Sequence, residues 1–105
     1  MLYDPKWEAQ IDGGTNSIRD ILIRARRLIE REEHWCSDGM GDGRTRCAIH
    51  AINMAQGAHE ALFTDAQEFV EQKLLRGGYL GVFNDTHNHA EVLALFSRAI
   101  AIAPR

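Results

Sequence analysis

The sequence predicts an all-α domain, a compact bundle of about four helices behind an extended N-terminal arm. Three observations carry that reading. Apolar residues recur at helical spacing near both ends of the chain. Ser, Thr and Asn stand where helices would begin, and Gly or Pro where they would stop. Finally, only Tyr79-Leu80-Gly81-Val82-Phe83 has the makings of a strand, and a lone strand has nothing to pair with. That run is read as a connector or a helical turn, with a strand left open.

The elements follow in order. Residues 1–16 read as an arm, because Asp4-Pro5 and Gly13-Gly14 break any helical period. Tyr3 and Trp7 either pin this arm to the domain or offer a partner two exposed aromatics. The helical domain is residues 17–105. Its first helix begins near Asn16 or Ser17, which can cap it, and carries Ile18, Ile21, Leu22, Ala25, Leu28 and Ile29 on one stripe. It is expected to end near Glu33. Asp38-Gly39 and Asp42-Gly43 mark a turn-rich loop over residues 36–46.

A second helix fits Cys47 to about Gln56, with a face of small residues that lets another helix come close. Thr64-Asp65-Ala66-Gln67 has the form of a capping box. It opens a third helix running to about Leu75, with Phe69, Val70, Lys73 and Leu74 inward, and Gly77-Gly78 stops it. Asn88 and Glu91 form a second capping box. The last helix follows, with Val92, Leu93, Phe96, Ala99 and Ile100 inward, and ends near Ala103-Pro104. The first and last helices are the longest and should form the core pair.

Composition narrows the function classes. A chain of 105 residues with 45% apolar and 26% charged residues is an ordinary globular domain. A net charge of -3 lacks the basic excess of a nucleic-acid module. The densest basic cluster, Arg24, Arg26, Arg27 and Arg31, is diluted by Asp20, Glu30, Glu32 and Glu33, and reads as a solvated helix face. Two cysteines are too few for a disulfide scaffold. The N-terminus is not built like a signal peptide. No stretch approaches the ~20 apolar residues of a membrane span. The expectation is a cytoplasmic protein with reduced thiols, no membrane contact and no cofactor, as a monomer or small homo-oligomer.

Chemistry concentrates between His34 and His50. Cys47 stands at a helix start, where free amides and the helix dipole favour a thiolate. His50 or His89 could act as its base and Asp85 could orient that base, an arrangement suited to a hydrolase or transferase. The competing reading is that Cys47 is a small buried hydrophobe. A zinc site would have to combine Cys47 and His50, one helical turn apart, with His87 and His89. The spacing matches no standard zinc signature. The letters His87-Asn88-His89 do not make the nuclease motif they spell, because that motif needs a ββα-metal fold. Asn84 and Asp85 read as turn or cap residues. Trp35 reads as a plug at a helix end or as a binding aromatic.

Together, Trp35, Cys47-Ala48-Ile49-His50-Ala51-Ile52, Phe83-Asn84-Asp85 and Glu91-Val92-Leu93-Ala94-Leu95-Phe96 resemble a family of small uncharacterised proteins from bacteria and their phages, over residues 17–103. His50 stands where that pattern has Gly, and Phe83 where it has Trp. A Cys47/His50 site peculiar to this chain would not be a family function. The resemblance implies a helical fold and no established activity. The leading expectation is therefore a non-enzymatic binding or accessory protein acting on an unidentified protein partner. The rival is a small thiol-dependent hydrolase or transferase built on Cys47, and the third possibility is a zinc-stabilised module.

Overall fold

The computed structural model describes residues 17–37, 46–57 and 65–104. Five α-helices and one 3-10 turn are found among these residues. They are α1 (Ile18–Leu28), the 3-10 turn (Glu32–His34), α2 (Ala48–Ala55), α3 (Asp65–Lys73), α4 (Leu80–Thr86) and α5 (His89–Ile102). No strand occurs among the described residues; the nearest feature is a single parallel bridge between Trp35 and Arg46. The arm with Tyr3 and Trp7, the Asp/Gly turns and the Thr64 half of the first capping box lie outside the described residues. No helix among those described is long and apolar enough to cross a membrane.

Helix α1 starts at Ser17, whose hydroxyl oxygen accepts the Asp20 amide at 3.2 Å. Its apolar stripe buries Ile21, Leu22 and Ala25, and Ile29 just past its end, while Ile18 and Leu28 pack at the margin. It is the hub of the fold, packing on α2, α3 and α5. Its end corrects the expected boundary near Glu33: the helix stops at Leu28. The Ile29 carbonyl accepts the ring Nε2–H of His89 at 2.6 Å, so it does not continue the helical ladder. Glu30, Glu32 and Glu33 would also face the unfavourable end of the helix dipole. The chain leaves through an extended Arg31 into the 3-10 turn.

Helix α5 opens on the capping box foreseen at Asn88. The Asn88 side chain accepts the Glu91 amide at 2.8 Å, and Glu91 Oε1 accepts the Asn88 amide at 2.9 Å. Its buried face is Val92, Leu95, Phe96 and Ala99, with Leu93 and Ile100 partly buried. Arg26 joins it to α1, its Nε–H donating to Ser97 Oγ at 3.0 Å. These two helices are the longest of the described elements, as expected.

The third helix is phased differently from the expectation. It buries Ala66, Gln67, Val70 and Glu71, and Lys73 is exposed rather than inward. Two polar residues point inward because they have a task there. Glu71 Oε2 accepts the Leu80 amide at 2.8 Å and the Gln67 side-chain amide at 3.2 Å. Leu80 is the first residue of α4, and Tyr79 before it supplies no side-chain cap. Glu71 therefore caps α4 from another helix. Gly77, at φ 86°, allows the sharp exit from α3 that this arrangement needs. Thus residues 79–83 belong largely to a helix, and α4 lies close to α2 at Gly81, where a Cβ would stand 3.3 Å from Ile49 Cδ1.

Candidate functional site

The residues singled out between Trp35 and His89 converge around Asn84. Its side chain is fully buried, and it projects from α4 into the joint between the Trp35 segment and the start of α2. Asn84 Oδ1 accepts Trp35 Nε1–H at 2.8 Å and the Ala48 amide at 3.0 Å. Its Nδ2 donates to the carbonyls of Cys36 at 3.0 Å and Ser37 at 3.4 Å, and to Asp85 Oδ1 at 3.2 Å. An amide is the one neutral side chain that both donates and accepts in this way. The expected capping role is present, but its target is unexpected. Asn84 sits within a helix rather than closing a turn, and caps α2 across 36 positions of sequence.

Cys47 is the N-cap of α2, and its Sγ accepts the His50 amide at 3.4 Å. Ser, Thr, Asp and Asn are the usual N-caps, and sulfur is a weak acceptor. The Asn84 oxygen on the Ala48 amide strengthens this end. Cys47 is buried. Burial pushes its thiol up, against hydrogen bonds from the His50 and Ile49 amides that act the other way. Desolvation thus outweighs the helix start that the sequence suggested would favour a thiolate.

The histidines serve several separate contacts. His89 carries its proton on Nε2 toward the Ile29 carbonyl, and its ring centroid lies 5.5 Å from that of Trp35. His87 stacks on Phe83 at 3.7 Å, with Nδ1 2.9 Å from the Phe83 carbonyl. His50 is half-buried on the first turn of α2, and its main chain meets Cys47. Asp85 is exposed and accepts from Asn84. The structure thus brings Trp35, Cys47, Asn84 and His89 to one joint. Cys47, His50, His87 and His89 form no metal cage: no group of three or more Cys, His, Asp or Glu able to hold a metal occurs among the described residues.

Sequence reading missed two features. Arg24, taken as part of a solvated face, is only 7% exposed. Its Nε and Nη2 donate to the Ala55 carbonyl at 3.2 and 3.1 Å, so it closes the C-terminal end of α2. Burial lowers its pKa, and Asp20 acts in the opposite direction. The available signal was its phase: Arg24 falls on the stripe between Ile21 and Leu28. The second feature is a groove of about 290 Å³ lined by Arg24, Arg27, Leu28, Met54 and Ala55. Met54 is 42% exposed there, and Arg27 has no ion pair among the described residues.

The chain belongs to a family of unknown function, DUF6197, whose model matches residues 14–102. No curated protein and no solved structure matches it.

Proposed function

We propose that this is a non-enzymatic accessory protein, of bacterial or phage origin, that binds a macromolecular partner through the groove between α1 and α2. The observation that carries the reading is the use made of the groups a thiol enzyme would need. Cys47 is a buried helix cap with a raised thiol, His89 donates its Nε2 proton to a main-chain carbonyl, and Asp85 accepts from Asn84. A catalytic nucleophile that must meet an external substrate needs the opposite environment, exposed and with a lowered pKa. The groove supports the binding half of the reading. Arg27 stands exposed beside the apolar Leu28 and Met54, which suits a partner presenting an acidic group next to an apolar side chain.

Affinity capture from the native host tests this, with tagged full-length protein and its Arg27→Glu variant compared at equal thermal stability. A partner retained by the wild type and lost by the variant is the expected result. Equal recovery by both moves the interface away from the groove. Deleting residues 1–16 then asks whether Tyr3 and Trp7 carry the interface instead. Absence of any specific partner overturns the reading.

A further inference from the structure

The Trp35–Arg46 bridge places the chain's two cysteines side by side. Arg46 N–H donates to the His34 carbonyl at 2.9 Å, and Cys36 N–H donates to the Arg46 carbonyl at 3.2 Å. This is parallel pairing, and one step further along the two segments stand Cys36 and Cys47. Cys47 is still extended, at φ -78° and ψ 173°, so the register reaches it. Paired strands run about 4.8 Å apart with successive side chains alternating in face, so equivalent positions share a side. That spacing falls within the roughly 4.4–6.8 Å between Cα atoms that a disulfide spans. A second observation agrees: charge at Cys36 opposes ionisation of Cys47, as expected of neighbouring thiols. Asn84 holds both segments from one side chain, through the Cys36 carbonyl and the Ala48 amide.

We propose that Cys36 and Cys47 form a reversible disulfide pair, a modification site for low-molecular-weight disulfides such as oxidised glutathione. Cys36 is half-buried and Cys47 buried, so Cys36 is the point of entry. Its thiolate attacks one sulfur of the glutathione disulfide. A Cys36–glutathione mixed disulfide forms and one glutathione leaves as thiolate. Cys47, unsuited by burial to meet an outside substrate, is held beside Cys36, and that proximity lets it attack Cys36 Sγ; the second glutathione leaves as a thiolate and takes up the Cys47 proton. The protein loses two electrons and two thiol protons; one glutathione disulfide becomes two glutathione thiols. The bond ties the Trp35 segment to the first turn of α2. The proposal is independent of the partner reading.

The test uses reduced, full-length protein incubated with oxidised glutathione, acid-quenched and weighed intact. The expected product is a monomer lighter by about 2 Da, with one linked peptide pair joining Cys36 to Cys47, restored by dithiothreitol. Cys47→Ser should stop at a Cys36 adduct heavier by about 305 Da. The ratio of protein disulfide to glutathione should be at least about tenfold higher for native than for urea-unfolded protein, because the fold aligns the pair. The wild-type measurement decides the matter even if the variant does not fold. A persistent glutathione adduct on wild-type protein, a disulfide-linked dimer, no reaction, or equal ratios in native and unfolded protein would each overturn the proposal.

Discussion

Asn84 shows what one side chain can hold. It satisfies an indole N–H and a helix-start amide with its oxygen, and two main-chain carbonyls with its nitrogen. Asn84→Ala removes all of these at once inside a buried joint. Each buried group left without a partner costs about 1–3 kcal/mol, so a loss of at least about 3 kcal/mol is expected. Urea denaturation followed by Trp35 fluorescence measures it, and a loss below about 1 kcal/mol would show that water enters the joint. Cys47, at the same joint, makes a pH prediction. Its folded pKa lies above its unfolded value because burial disfavours the thiolate. The associated stability is complete below the unfolded thiol's pKa, about 8.5, and is lost as pH rises through the folded value. Wild-type protein should therefore lose stability between about pH 8 and pH 10 more steeply than Cys47→Ala. Parallel denaturation curves for the two proteins across that range would contradict the assignment.

At the scale of elements, the helices divide by where their caps come from. Helices α1 and α5 carry their own, Ser17 and the Asn88/Glu91 box, and both starts were legible in the sequence. Helix α2 supplements its weak Cys47 cap with Asn84, and α4 borrows its cap outright from Glu71. Glu71→Ala should expose the Leu80 amide in a buried setting and cost about 1–3 kcal/mol. Glu71→Gln keeps an acceptor for that amide and should cost less. Hydrogen exchange at Leu80 reads the difference locally, with faster exchange in the alanine variant than in the glutamine one. Equal exchange in wild type and Glu71→Ala would mean that α4 is capped by something else. The borrowed cap also explains why residues 79–83 were hard to assign. Their own sequence has no cap to announce a helix, and the group that starts it lies nine positions earlier.

Across the whole molecule, α1 is the element on which α2, α3 and α5 all pack, and its seam carries two arginines with different duties. Arg24 closes the end of α2, and Arg26 reaches Ser97 on α5. A helix wheel shows Arg24 on the apolar stripe but does not show why a charge is tolerated there; the Ala55 carbonyl, 31 positions away, supplies the reason. The same division runs through the chain. The sequence by itself determined the helical class, the stripe of α1 and the caps at Ser17 and Asn88, because periodicity and capping act over three or four neighbouring residues. Only the tertiary structure decided that Asn84, Glu71 and Arg24 are buried, that α1 stops at Leu28, and that Cys36 and Cys47 share a register. Each of those outcomes depends on a partner far away in the chain. A buried polar group is stable only where that partner's donor or acceptor meets it, and no local pattern carries that information.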